Sequence, residues 1–355
     1  MSSKRIKRWL RLSPFAKMPV YHWFRYIMKR KGIDRVLQKS GVSEDKKTMR
    51  NLMRRAMTLH RWDFDEVIMY HYKDLSDEGR RSFVPEYDKN IFCDKVNDYE
   101  MSKVFDSKWL SYCKFQDYYH RSCVCVSKSS IKNNEQLSLF FRNHLRFILK
   151  PDSSACGRGI LIIDAANETD ALNRIDEGIG NSDGLFVVEE LIVQSEEMGR
   201  FHPRSVNTVR IPTIRFDNRV EIVHPFVRIG RGGSIVDNAG AGGIFGNIEI
   251  ETGRVYAACD EIGNQFSSHP DTDFPIVGFV IPRWKEAISF AKELAMVIPS
   301  VRYVGWDLAL TDKGWLMVEG NDKGQFVFQC PDQKGFRNEL THIEKELFRK
   351  NIKRG

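Results

Sequence analysis

Gly305-Trp306-Asp307-Leu308-Ala309-Leu310, the turn Thr311-Asp312-Lys313-Gly314, and Trp315-Leu316-Met317-Val318-Glu319-Gly320-Asn321 decide the reading of this chain. Two apolar runs of strand length flank a glycine-bearing turn, which predicts a β-hairpin. Residues two apart on a strand point to one face, so Glu319 and Asn321 align and meet Asp307 from the other strand. Trp306, Leu308, Leu316 and Val318 make both strands largely buried, and buried carboxylates need partners. Two carboxylates about 4 Å apart repel by about 4 kcal/mol at an effective dielectric of about 20. A cation between them removes that cost, and an all-oxygen set suits Mg2+, Mn2+ or Ca2+ better than zinc. The competing reading is a surface hairpin with ordinary acidic residues.

An acid followed twelve residues later by Glu-x-Asn at the end of an apolar strand resembles the magnesium-binding signature of the ATP-grasp superfamily. The wording Gly-Trp-Asp and Val-Glu-Gly-Asn resembles one branch, the sugar-transfer-associated ATP-grasp proteins of bacterial polysaccharide clusters. The resemblance implies an α+β fold in which two α+β subdomains clasp ATP. It also implies Mg2+, expected as two ions with Mn2+ as a substitute, held by Asp307, Glu319 and Asn321.

The upstream order agrees with this. Leu145–Pro151 reads as a strand ending in Lys150, followed by a Ser/Gly-rich loop with Gly157, Arg158 and Gly159. Small residues let backbone N–H groups approach phosphate oxygens, and a strand-end lysine adds a point charge. No Gly-Lys-Thr opens a helix, so this is not a Walker A loop. It resembles the ATP-grasp lysine and lid, although a plain glycine hairpin reads the same way locally. Lys108 precedes Lys150 by 42 residues and resembles the first ATP lysine; Lys103 and Lys114 compete for that place. The run Phe186–Gln194 resembles the adenine hinge, with Glu189 or Glu190 accepting from the adenine amino group and Leu191 and Ile192 pairing the ring edge. Glu197 would then reach the ribose.

Arg210 and Arg228 lie on strands expected to line a cleft, where guanidinium groups fork onto phosphate or carboxylate. The glycine-rich run that follows carries Arg231, Asp237, Asn238, Gly242 and Gly243 and resembles the same branch closely. With Asn207 and His269 these are the expected substrate contacts, whereas the bland alternative is a long exposed turn and an idle loop histidine. Strands are also expected at Cys123–Val126 and, as one run, at Val220–Val227.

The chain has 355 residues and a net charge of +8. Residues 1–55 carry 17 Lys/Arg against three acids, a net +14, so the body is mildly acidic. Trp and Phe interleaved with Lys and Arg in residues 1–40 suit an anionic membrane surface; packing against the body is the alternative reading. Nucleic acid is not an expected partner, since no binding module accompanies the charge. No run of about 18 apolar residues occurs. The cysteines form no Cys-x-x-Cys pair, which favours reduced thiols and a cytoplasmic setting, peripheral on the inner face of the membrane if residues 1–40 dock there.

The expected organisation is a basic amphipathic segment (1–40), a helix-rich N-terminal region (41–120), a small subdomain with lid and hinge (121–195), and a C-terminal subdomain with the metal site (196–355). This helix-rich front departs from the usual ATP-grasp pattern. The expected activity is an ATP-dependent carboxylate–amine ligase acting through an acylphosphate. Its partners would be a sugar or sugar-nucleotide carboxylate, of uronic-acid type, and an amino acid or amine. A phosphotransferase on a sugar hydroxyl and a non-catalytic nucleotide- or glycan-binding scaffold are the alternatives.

Overall fold

The computed structural model describes residues 3–41, 45–131, 134–154, 157–237 and 242–349. Among the described residues up to 120 the regular elements are all helices, apart from one isolated bridge at Asn97. Local capping explains several of the breaks. Asp45 accepts from the Thr48 N–H at 2.9 Å and starts the helix Lys46–Arg55. Asp63 and Glu66 form a reciprocal box that starts Phe64–Met69.

Four strands, β1 (Cys123–Val126), β2 (Arg146–Pro151), β3 (Leu161–Asp164) and β4 (Phe186–Glu190), form an antiparallel sheet in the order β1-β4-β2-β3. Its inward residues, among them Phe147, Leu149 and Val188, share a core with Leu137, Phe140, Ala171 and Ile175 from two helices.

The second sheet is built from β5 (Val209–Arg215), β6 (Val220–Ile222), β7 (Phe226–Ile229), β8 (Ile244–Ile248), β9 (Val255–Asp260), β10 (Tyr303–Thr311) and β11 (Gly314–Asn321). The order is β11-β10-β5-β7-β8-β9, with β6 paired to β5 alone. The expected single strand over Val220–Val227 is thus broken. Pro225 offers no N–H to a ladder and His224 before it sits at φ 42°, so the chain bends and only the second piece joins β8.

This sheet is covered on both faces. On one, Ile211, Val227, Leu308 and Met317 pack with Trp284, Ala287, Ala291 and Leu294 of the helix Trp284–Val297. On the other, Phe226, Phe245 and Tyr303 join Met53, Trp62, Phe83 and Phe92 of the front helices and Phe336 and Leu340 near the C-terminus. The helix-rich front therefore shares its core with the large sheet. Among the described residues no helix is long and apolar enough to cross a membrane.

Candidate active site

Three neighbouring strands carry the centre of the site. Asp307 on β10 stands opposite Arg210 on β5, and β7 beside β5 brings in Arg228. Asp307 is fully buried. Its Oδ1 accepts from Arg210 Nε, and its Oδ2 accepts from Arg210 Nη2 at 2.6 Å and Arg228 Nη1 at 2.9 Å. Burial alone would raise this carboxyl, but the two guanidinium groups outweigh it and hold it below its ordinary range. Gly305 makes the geometry available: a Cβ there would stand 2.9 Å from Arg210 Cδ. Arg228 also donates to Asp237 (Nη2 to Oδ1, 2.7 Å), which accepts in turn from the Thr208 backbone at 3.0 Å and from its hydroxyl.

Across the hairpin Glu319 pairs with Asp307, and Asn321 donates to Glu319 Oε1 at 3.3 Å. That register depends on a bulge. From the turn to Leu308↔Met317 the ladder is continuous; one extra residue in β11 then puts Glu319, not Val318, opposite Asp307. Burial and the Asp307 charge raise the Glu319 carboxyl above its ordinary range, with Arg228 only partly compensating. Among the described residues no three His, Cys, Asp or Glu side chains gather as a metal cage. The set here is two carboxylates and an amide. Such oxygens could hold a Mg2+ that also keeps waters and phosphate ligands, and a cation there would lower the repulsion between the two carboxylates.

The facing cluster comes from the small sheet. Lys150 at the end of β2 donates to Glu189 Oε2 on β4 at 2.7 Å, and Arg121 donates to the same oxygen from Nη2 at 3.2 Å. Burial would raise Glu189, yet Lys150 and Arg121 bring it down to about 2. Arg121 also reaches the large sheet, donating to the carbonyls of Met317 (2.6 Å) and Val318 (3.3 Å) at the bulge. Lys108 opens the helix Lys108–Lys114 and donates to the carbonyls of Ser154 (2.7 Å), Pro151 (3.0 Å) and Asp152 (3.2 Å). Burial lowers its ammonium below the ordinary range, while Glu319, within electrostatic reach, opposes this.

The remaining expected residues fall in several places. Gly157 and Gly159 adopt φ of 69° and 73°, a region where a side chain is strained, and the exposed Arg158 lies between them. Gly157 lies against Val236, so the lid meets the glycine-rich run. Glu190 accepts from the Ser122 N–H at 3.1 Å, and the chain leaves the sheet at the half-buried Leu191 and Ile192. Glu197 is exposed, and its lowered carboxyl is explained by its own N–H and the Ser195 hydroxyl. Asn207 and His269 are buried struts. The Asn207 amide donates to the carbonyls of Met198 (2.9 Å) and His202 (3.0 Å), and His269 Nε2 contacts the Gly230 carbonyl at 2.8 Å. Arg231 pairs with Asp260 at 3.4 Å; Gly242 approaches it, and Gly243 is buried just before β8. Asn238 lies outside the described residues. Lys103 pairs with Glu100 on the surface, and Lys114 ends the Lys108 helix, so of the three candidates Lys108 is the one in the cluster.

Arg121 and Asp152 are central here and were not singled out from the sequence. Asp152 accepts from Ser107 Oγ at 2.9 Å and the Trp109 N–H at 2.8 Å, which fixes the helix that presents Lys108. A single arginine before a strand and a single aspartate after a lysine carry no local signal of such roles.

The sugar-transfer associated ATP-grasp family matches residues 88–345 of this sequence. The chain belongs to that family. Compared with curated proteins, this ATP-grasp chain matches none. Among solved structures it is similar to D-alanyl-alanine synthetase A from Vibrio cholerae (13% identity, 71% of this chain and 68% of that one, TM-score 0.44). It is also similar to the D-alanine–D-alanine ligases of Helicobacter pylori (11%, 71% and 64%, 0.44) and of Bacillus anthracis complexed with ATP (13%, 75% and 71%, 0.42).

Proposed function

We propose that this ATP-grasp protein is an ADP-forming carboxylate–amine ligase that joins an amino acid or amine to a uronic-acid sugar, free or nucleotide-linked, in bacterial surface polysaccharide synthesis. The observation that carries the reading is one juxtaposition. Lys108, brought from a helix that precedes both sheets in sequence, lies within electrostatic reach of Lys150, Glu189 and Glu319 together. One wall of the site is thus cationic and the other carries the carboxylates.

On this reading Lys108 and Lys150 bind the phosphates, and the Gly157–Gly159 backbone closes over them. Glu189 holds Lys150 in position, and the chain beyond Glu190, with Leu191 and Ile192, lies along the adenine. Asp307, Glu319 and Asn321 hold Mg2+, which when bound neutralises charge on the β- and γ-phosphates. Arg210 and Arg228 present guanidinium N–H groups to the acceptor carboxylate. That carboxylate attacks the γ-phosphorus, the bond to the β-phosphate oxygen breaks, and ADP leaves. The amine then attacks the acylphosphate carbon, expelling inorganic phosphate and giving a proton to solvent. No side-chain nucleophile is needed. Arg231, Asp237, Gly242 and Gly243 flank the acceptor, and the basic residues 1–40 keep the enzyme at the inner face of the cell membrane, where such acceptors are handled.

The test is incubation with ATP, Mg2+ and a panel of uronic acids, with hydroxylamine in place of the amine. A hydroxamate forming in step with ADP supports the ligase. ADP formation with a stable sugar phosphate and no hydroxamate identifies a phosphotransferase instead. No ATP binding by the folded chain leaves the scaffold reading.

A further inference from the structure

The first two long helices each turn an apolar stripe outward. In Ser3–Leu12 the half-buried Arg8 and Arg11 are turned to the body, and Lys4, one turn earlier and mostly exposed, reaches it by its ammonium. Lys4 pairs with Asp106 at 2.5 Å, Arg8 donates to the Asp94 carbonyl at 2.6 Å, and Arg11 donates to the Asp94 carboxylate at 2.6 Å. The opposite side carries Ile6 and Trp9, the latter 64% exposed. In Pro19–Lys29 Tyr26 packs against the core of the body, but cations share that side and a second apolar stripe faces out. His22 is buried, Arg25 and Lys29 both pair with Asp63, and Arg25 lies over the Tyr87 ring at 4.0 Å. Facing out at helical spacing are Val20, Trp23, Phe24 and Met28, exposed by 55%, 45%, 59% and 68%.

A helix packed only for stability turns its apolar stripe inward. Scattered exposed apolar residues are ordinary, but two consecutive exposed apolar stripes are not. The exposed set continues through Phe15 and Met18 between the helices and reaches a groove lined by Val20, Trp23 and Leu59 together with Arg54 and Arg55. The exposed cations Lys7, Lys17, Arg30 and Lys31 lie within the same segment.

We infer that this face is a docking surface for an anionic lipid bilayer, with the aromatic stripes set into the interface and the surrounding Lys and Arg at the headgroups. Charge decides the occupant. The exposed Lys7, Lys17, Arg30 and Lys31, with Arg54 and Arg55 at the groove, leave the face cationic, so a second copy of the same face would meet repulsion, whereas anionic headgroups are attracted. Large exposed Trp and Phe side chains suit the bilayer interface, where the ring is buried and the backbone stays wet. The inference extends the peripheral placement proposed above, but the binding is read without nucleotide, so it stands or falls separately from the ligase chemistry.

The full chain is floated with phosphatidylcholine vesicles, with and without phosphatidylglycerol. It is expected to float only with the anionic lipid and to release as salt rises. The W9S/W23S/F24S variant is expected to bind at least about tenfold more weakly with an unchanged melting temperature. A control, L139S/L185S, alters exposed leucines of the small sheet region and should bind as wild type. Wild type that fails to float with anionic vesicles overturns the inference, as does a triple variant that floats equally well. A wild-type dimer that binds no vesicles and is dissociated by the triple variant assigns the face to a second copy and also overturns it.

Discussion

Glu189 and Asp307 are both buried carboxylates gripped by two cations, yet their surroundings differ in one respect. Around Glu189 the cations exceed the acid: Lys150 and Arg121 touch it and Lys108 stands near. Around Asp307 the acids exceed the cations, because Glu319 and Asp237 share Arg210 and Arg228 with it. The first cluster has positive charge to spare and suits a polyphosphate. The second has negative charge to spare and suits a cation. The two acids of the hairpin differ as well: Asp307 is clamped by two arginines and holds three strands together, while Glu319 accepts from the Asn321 amide and is repelled by Asp307, with Arg228 compensating only in part.

The largest test of that contrast is Glu319→Gln. Turnover is expected to fall by about a thousandfold while the thermal melt stays put or rises, since the charge repelling Asp307 is gone. Turnover above about a tenth of wild type would remove Glu319 from the chemistry. Asp307→Asn should do the reverse to stability, costing about 4 kcal/mol in a urea melt because the buried Arg210 guanidinium loses its carboxylate and Arg228 is left with Asp237 alone. An unchanged melt would break the view of Asp307 as the keystone.

Glu189 sharpens the other half. Its folded-state carboxyl is depressed from 4.5 to about 2, so its stabilisation is present above about pH 4.5 and is lost as the pH falls toward 2. The wild type's advantage over Glu189→Gln, about 3 kcal/mol at neutral pH, should shrink across that window. A pH-independent difference would mean that the cluster acts by packing. The smallest effect is on Mg2+ affinity. A proton competes for the raised Glu319 carboxyl, so affinity should climb with pH just above the ordinary carboxylate range, by no more than about tenfold per pH unit. Calorimetry at fixed ionic strength that finds a flat profile would place the ion elsewhere.

The hairpin and its acids were legible in the sequence because their signals are local: a turn, two apolar runs and a two-residue spacing. Lys150 at a strand end was legible for the same reason. Arg121 was not, because its partners Glu189, Met317 and Val318 lie 68 to 197 positions away. The arginine clamp on Asp307 was invisible too; the sequence placed Arg210 and Arg228 on cleft strands but not the register that turns them onto an aspartate. In residues 1–40 the amphipathic pattern was plain, but which stripe faces the body depends on Asp63, Asp94 and Asp106, which no local spacing reveals.

The bulge at Val318 has a meaning in the grammar of insertions and deletions. Removing Val318 would, by count, still leave a glutamate across from Asp307 in an uninterrupted ladder. It would take away the longer of the two bonds by which Arg121 ties β11 to the strand bearing Glu189, the one to Val318 at 3.3 Å, and leave the one to Met317 at 2.6 Å. A homologue one residue shorter here would keep its acidic pair and hold its latch by one bond instead of two. Length variation at this point therefore acts on the tie between the two sheets and leaves the acidic pair alone.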